Sequence, residues 1–403
     1  MTREEVYSEC LTKLEKSDFL LLELATGMGK SKQAIDIINH LVETKYQGKH
    51  TSMLLLVAKT VHKQTWKDEF KKWGGINVDE LTIECYESLK KHEYESFDFV
   101  VMDECHHLHS DKRLDLFSTL TYGHVIGLSA TIPKKLKQYF QYEYAAEVVT
   151  CSIVDAIEDE VLPEPQIILY PLQLDNVRPT ESIELNPKAK GKTYYGNYNE
   201  LWKYRKMKVH AIISCTPKQR VNEYNSQILY EKNRYMRTRQ DFLKNKWLFD
   251  CGERIKYLAN LKNNIVLSIL QRLEKERTIT FCKTIEQADI LGKYSIHSKN
   301  KDSDIIYNNF NAKKINHIVS VNVLNEGANL VDCKYAVFAN YSSSEICSAQ
   351  RVGRSLRHKS PVIILPYYEA TREEEIVNTM IESFKEESIH TIYSLKELDE
   401  FIQ

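Results

Sequence analysis

Short apolar runs separated by stretches of helical period set the rhythm of this chain. Phe19 to Leu22 is apolar throughout. After a break at Ala25-Thr26-Gly27-Met28-Gly29, a helical spacing resumes through Ile35, Ile37, Ile38 and Leu41. Met53–Val57 repeats the theme, followed by a helix predicted from Val61 to Trp73 with Trp66, Phe70 and Trp73 on one face. Leu81–Ile83, Phe97–Met102 and Val125–Leu128 complete the series. Continuous apolar runs bounded by turns suit strands buried on both faces. Alternated with helices, they predict a parallel sheet with its polar residues at the carboxyl edge. The rhythm stops near Glu160, where Pro163 and Pro165 punctuate the exit and Ile167–Tyr170 reads as a linking strand. From Tyr198 to Leu248 the pattern is mostly helical, interrupted near Cys215-Thr216-Pro217. A helix over Lys262–Leu273, a strand over Arg277–Cys282, a helix over Thr284–Leu291 and a strand over Ile318–Val323 restart the alternation. The expected organisation is therefore α/β: one unit over 1–165, a helical insertion or linker over 166–260, a second unit over 261–368. An acidic amphipathic helix over 369–403, with Ile376, Met380, Ile381 and Phe384, is expected to pack back on a lobe.

Composition narrows the class. With 403 residues there is room for two or three cores. No apolar run reaches the length of a membrane span, and the charged start MTREEVYSEC lacks the apolar centre of a signal peptide. The nine cysteines are scattered and never form a CxxC, which predicts reduced thiols in an intracellular, cytoplasmic protein and no zinc module. The net charge of −1 conceals an asymmetry. Residues 1–165 hold 19 Lys+Arg against 28 Asp+Glu, residues 166–260 hold 18 against 9, and the remainder 18 against 19. Within the middle, residues 186–250 carry 15 basic and 5 acidic side chains interleaved with Tyr194, Tyr195, Tyr198, Trp202, Tyr204, Tyr224, Tyr230 and Tyr235. Such a segment suits a surface that tracks a nucleic-acid strand, cations meeting phosphates and rings stacking on bases. A helical insertion with solvated charges has the same composition.

The break at residues 25–29 is the first candidate for chemistry. A strand, a glycine turn and a helix in that order converge backbone N–H groups on an anion at the helix N-terminus. Thr26, Gly27, Met28 and Gly29 would form the cradle, Lys30 would reach the β- and γ-phosphates, and the Ser31 hydroxyl would hold Mg²⁺. Leu24 stands where the strict pattern has Gly, and a GKS triplet also occurs in plain structural turns. The second candidate is Asp103-Glu104 at the end of an apolar run, one carboxylate for the metal and its neighbour to activate water. A metal cluster of Cys105, His106, His107 and His109 competes with that reading, but the spacing is too tight for four ligands.

Taken together these stretches resemble the motor core of superfamily 2 helicases and translocases. ATGMGKS resembles their motif I, VAKTVHKQTW motif Ia, DECH a variant of motif II, GLSATIP motif III and Arg277–Cys282 motif IV. Leu324–Leu330 resembles motif V, and Gln350-Arg351-Val352-Gly353-Arg354-Ser355-Leu356-Arg357 motif VI. Val321 stands where a Thr is frequent, and no aromatic-plus-Gln pair precedes Leu21 as a Q-motif. Asn233–Leu243 resembles the arginine-rich helix preceding the second lobe in many members. The resemblance implies two RecA-like lobes, ATP and Mg²⁺ as cofactors, and hydrolysis in the cleft between lobes. Lys30, Glu104, Gln350, Arg354 and Arg357 would be catalytic. Thr26 through Ser31 with Gly327 would bind nucleotide, and Ser31 with Asp103 the metal. Ser129 and Thr131 would couple the lobes. Lys59, Thr60, Lys283 and Asn322, with Lys203, Arg205 and Lys206 of the basic middle, would meet nucleic acid.

The motif style leans towards DNA-repair, branch-migration and restriction-type motors, so the expected function is an ATP-dependent DNA helicase or translocase. DNA is expected over RNA, with no membrane association and a monomeric state. Composition suggests the cytoplasm of a bacterium or a phage host. The alternative is a nucleic-acid-stimulated ATPase switch, or an RNA helicase without processive unwinding.

Overall fold

The computed structural model describes residues 1–47, 49–321, 330–341 and 358–402. The apolar runs of the first unit become β1 (Phe19–Leu24), β2 (Ser52–Val57), β3 (Glu80–Cys85), β4 (Ser96–Asp103), β5 (Thr121–Ser129) and β6 (Glu147–Cys151), the last not anticipated from the pattern. All pair in parallel, in the order β3-β2-β4-β5-β1-β6. Leu20, Leu21, Leu22, Leu54, Leu55, Val100 and Leu128 are fully buried, as expected of strands covered on both faces. The covering helices are α1 (Arg3–Leu14), α2 (Lys30–Leu41), α3 (Thr60–Lys72), α4 (Asp111–Ser118), α5 (Lys134–Tyr144) and α6 (Ile153–Glu158). The strand order makes β4, β5 and β1 neighbours, with Asp103 level with Leu128 and Glu23 level with Ser129. Three loops that sequence reading marked for chemistry therefore leave one stretch of sheet edge.

The segment following β6 departs from expectation at its start. β7 (Gln166–Leu172), read as a linker, is an inner strand of the second sheet. Linking and core strands share the same apolar signature, and its partners lie some two hundred residues further on. The basic middle also contains more than helices. β8 (Glu181–Leu185), β9 (Tyr194–Asn197) and β10 (Ala211–Cys215) form a small sheet, β10 antiparallel to β8 and parallel to β9. With α7 (Leu201–Met207) it encloses its own core of Ile183, Leu185, Leu201, Tyr204, Ala211, Ile213 and Cys215. The interruption expected near Cys215 is thus the end of a strand. Beyond it α8 (Pro217–Thr238) and α9 (Asp241–Leu261) pack together as a long hairpin.

The second unit opens with α10 (Asn263–Arg272) and continues through β11 (Thr278–Phe281), α11 (Ile285–Leu291), β12 (Ser295–Ile296), α12 (Ser303–Asn311), β13 (His317–Ser320), β14 (Tyr335–Phe338) and β15 (Val362–Tyr368). The tail adds α13 (Arg372–Ile381), β16 (Ile389–Thr391) and α14 (Leu395–Ile402), so it extends the sheet as well as covering it. The seven strands run in the parallel order β12-β13-β11-β14-β15-β7-β16. Ile153 and Phe384 pack against the cores of both lobes. Among the described residues no helix is long and apolar enough to cross a membrane.

Candidate nucleotide site and nucleic-acid surfaces

The loop from β1 to α2 takes a shape its glycines permit. Gly27 and Gly29 sit at φ of 108° and 84°, a region costly for any residue with a Cβ. Gly29 is the N-cap of α2 and supplies no side chain to its first N–H groups. The helix therefore begins with donors and a positive dipole end facing the loop. Lys30 folds back to donate to the Leu24 carbonyl at 3.2 Å. Around this loop lies a cavity of about 550 Å³, within the range of small-molecule sites. Thr26, Gly27, Met28, Gly29, Lys30, Ser31, Asp103 and Glu104 all line it, so the structure brings together every first-lobe nucleotide and metal candidate.

Glu104 itself stands at φ 51°, turning the chain sharply out of β4, and is almost fully buried. Ser129 Oγ lies 3.3 Å from Glu104 Oε2, 3.0 Å from His106 Nδ1 and 2.8 Å from the Thr131 carbonyl oxygen. The hydroxyl has one proton and several acceptors, so its orientation can pass between Glu104 and the 129–131 turn. Of the two predicted coupling residues, Ser129 is thus in contact with the predicted base and Thr131 with Ser129. Cys105, also buried, has its thiol pushed well above the ordinary range, chiefly by burial and then by Glu104. Among the described residues no group of three His, Cys, Asp or Glu is placed to hold a metal ion. Ser31, Asp103 and Glu104 bring a hydroxyl and two carboxylates to the cavity, hard oxygens of the kind Mg²⁺ takes alongside phosphate oxygens.

Sequence reading missed the part played by α1. Arg3, Glu4 and Tyr7 line the cavity, Arg3 donates to the Gly27 carbonyl at 3.2 Å, and Gln33 Nε2 donates to the Arg3 carbonyl at 2.8 Å. A capping box between Thr2 and Glu5 starts this helix and was the one local signal available. Trp66, read only as part of one face of its helix, is buried and also reaches the site: its Nε1 donates to Asp103 Oδ2 at 2.9 Å.

The nucleic-acid candidates divide. Lys59 and Thr60 line a second, more open cavity of about 610 Å³ at the carboxyl ends of β2 and β3, with Lys63, Ser88 and Lys91. Its acids are engaged: Glu84 by Lys63 at 2.9 Å, which holds the carboxyl below its usual range, and Glu87 by Arg113 at 2.8 Å. In the second lobe, Lys283 follows β11, its backbone N–H donating to Gln287 Oε1 at 3.1 Å. On α7, Lys203 and Lys206 are exposed, while Arg205 is partly buried and engaged within the protein. Arg205 pairs with Glu223 of α8, a carboxylate only 3% exposed, and so pins the small sheet to the helical hairpin. Glu231, equally buried, takes Arg234 and Lys246. Burying these two acids leaves the hairpin surface basic, with Leu229, Tyr230, Phe242, Leu248 and Phe249 exposed along it. Asn322, Gly327, Gln350, Arg354 and Arg357 lie outside the described residues.

Two family models match the chain: type III restriction enzyme, res subunit, over residues 2–134, and helicase conserved C-terminal domain over residues 261–359. Together they cover more than half of it, one on each lobe. With two parallel-sheet lobes and a phosphate-loop cavity, the chain belongs to the superfamily 2 helicases. Protein QP509L of African swine fever virus, whose name carries the words "ATP-dependent RNA helicase", is 29% identical over 131 residues, 27% of this chain and 24% of that protein. The chain thus aligns with about a quarter of that relative's length. Among solved structures, a Dbp5 variant of S. cerevisiae bound to RNA and ADP BeF3 superposes with a TM-score of 0.59 at 11% identity, covering 99% of this chain and 93% of its own. The ATP-dependent type ISP restriction-modification enzyme LlaBIII bound to DNA gives 0.56 at 14% identity, covering 100% of this chain and 32% of its own.

Proposed function

We propose that this chain hydrolyses ATP to move along or remodel nucleic acid, DNA in preference to RNA. One observation carries the reading: Lys30, Ser31, Asp103 and Glu104, from two strands separated by β5, converge on a single cavity at the sheet edge. Phosphates would lie on the Gly27–Gly29 loop against the α2 N-terminus, with Lys30 swinging from the Leu24 carbonyl to their oxygens. Bound Mg²⁺ would neutralise charge on the transferred phosphoryl group, and Ser31 and Asp103 are the residues to hold it. Glu104 is positioned by Ser129 to orient the attacking water. The resemblance implies that Arg354 and Arg357 would serve the same phosphates from the second lobe, an electrostatic contribution worth orders of magnitude in rate.

Preference for DNA is supported by the QxxGRxLR and DECH style and by the restriction-enzyme family model on the first lobe. The RNA reading is favoured by the name of the viral relative. ATP turnover measured with single-stranded DNA and RNA effectors, beside displacement of a strand from forked duplexes, separates these readings. DNA-stimulated turnover with displacement supports the proposal; stimulation by RNA alone transfers it to RNA; turnover that neither polymer changes overturns it. Turnover stimulated without displacement leaves an ATPase switch.

A further inference from the structure

Asp103 is held by two rings. Trp66 donates its indole N–H to Asp103 Oδ2 at 2.9 Å, and Tyr86 donates its phenol O–H to the Asp103 backbone oxygen at 2.9 Å. Both rings are buried, at 3% and 2% exposure. Trp66 belongs to α3 and Tyr86 begins the 3₁₀ turn that follows β3. The same two elements frame the second cavity: the start of α3 supplies Thr60 and Lys63 directly after Lys59, and the turn supplies Glu87, Ser88 and Lys91. Thr60 Oγ1 also lies 3.7 Å from Cys85 Sγ, tying the two elements together at the cavity. Along α3 the path from Thr60 to Trp66 is a continuous helix of about 9 Å. A displacement at the cavity therefore reaches the carboxylate without passing through a loop.

We propose that Trp66 and Tyr86 are positioning residues that couple a nucleic-acid phosphate in the second cavity to the metal carboxylate Asp103. The proposal rests on the reading of the first cavity as an ATP·Mg²⁺ site. The indole is a donor only, so it occupies one oxygen of Asp103 and fixes the direction of the other. Hydrogen bonds of this kind to a metal-ligating carboxylate set both its orientation and its affinity. Tyr86 fixes the backbone at the same residue. Lysines grouped at the rim of the second cavity give a phosphodiester its electrostatic partner, and drawing them together shifts the first turn of α3 and the turn after β3.

The test is calorimetric and uses the full chain. ADP binding is measured with and without Mg²⁺, and with or without single-stranded oligothymidylate, for the native protein, Trp66→Phe and Tyr86→Phe. Tyr86→Phe keeps the ring and removes only the donor, whereas Trp66→Phe replaces the indole with a smaller ring that has no donor. Trp66→Phe is expected to weaken the Mg²⁺-dependent part of ADP binding about tenfold while leaving metal-free ADP binding unchanged. In the native protein oligothymidylate changes Mg²⁺·ADP affinity, and both variants bring that factor close to one. A Trp66→Phe protein with native Mg²⁺ dependence and native response to the oligonucleotide overturns the proposal alone. If inorganic phosphate reproduces the oligonucleotide response, the assignment of the cavity to a strand is overturned. A native protein whose ADP binding ignores Mg²⁺ overturns the underlying reading together with the proposal. If Trp66→Phe does not fold, Tyr86→Phe carries the test: a native oligonucleotide response in it overturns the coupling.

Discussion

Lys30 and Glu104 divide the work at the cavity, and single substitutions should separate them. Lys30→Ala removes the cation at the start of α2 and is expected to abolish turnover and weaken nucleotide binding together. Glu104→Gln keeps the shape and the Ser129 contact but cannot take a proton, so turnover should fall by orders of magnitude with nucleotide affinity preserved. Equilibrium binding of ADP beside steady-state turnover checks both. Native turnover in the Glu104→Gln protein would remove Glu104 from the role of base. At this scale the site was largely legible, because a glycine turn and a paired carboxylate have local signatures. Trp66 and Arg3 were not legible. A tryptophan on an apolar face reads as core whatever its indole N–H touches, and an arginine at a helix start carries no mark of the loop it will meet. His317 on β13 adds a pH response. Burial lowers its ring to about 4 from the ordinary 6.5, so it stays neutral in the folded protein and protonates in the unfolded chain. Its contribution, on the order of 3 kcal/mol, is fully present above pH 6.5 and is lost as pH falls through 4. Thermal unfolding followed between pH 7 and pH 4 should show that loss, and His317→Gln should flatten the acid limb.

Among the elements, α7 and the α8–α9 hairpin present the basic surface proposed to meet nucleic acid. Lys203, Lys206 and Lys208 are exposed, whereas Arg205 compensates the buried Glu223. Reversing the three lysines to glutamate should weaken nucleic-acid binding for all sequences alike. The slope of log affinity against log salt should flatten by roughly one unit per lost phosphate contact. Turnover without nucleic acid should persist, since no ATP-site residue changes. Arg205→Ala should behave differently, costing about 2 kcal/mol of stability through the uncompensated carboxylate, a figure reduced because Arg205 is partly solvated. Titrations at several salt concentrations, beside thermal unfolding, distinguish the two. Element type followed from periodicity for β1 to β5, β11 and β13 and for α2, α3, α10 and α11, whereas α1, α4, α5, α6, β6, β14 and β15 were not anticipated. The small sheet was not legible because its strands are only four or five residues long and mix buried with exposed positions, inside a segment whose basic and aromatic content dominates the pattern.

For the whole molecule, chain order and spatial order disagree most widely at one strand. β7 lies between β15 and β16, so its partners are made roughly two hundred residues after it. During synthesis at about 5–20 residues per second, the apolar stretch QIILYPL waits about 10–40 seconds without a neighbour. The first lobe is complete by then, and the small sheet has its own core to close around in the interval. The second lobe cannot close until the far end of the chain leaves the ribosome. An unpaired apolar strand edge is a template for other chains, which makes the nascent protein a client for chaperones at this point. Ribosome-bound chains arrested after residue 260 should accordingly resist protease through residue 160 and be cut readily around 166–172. Arrest beyond the exit of residue 402 should restore protection there.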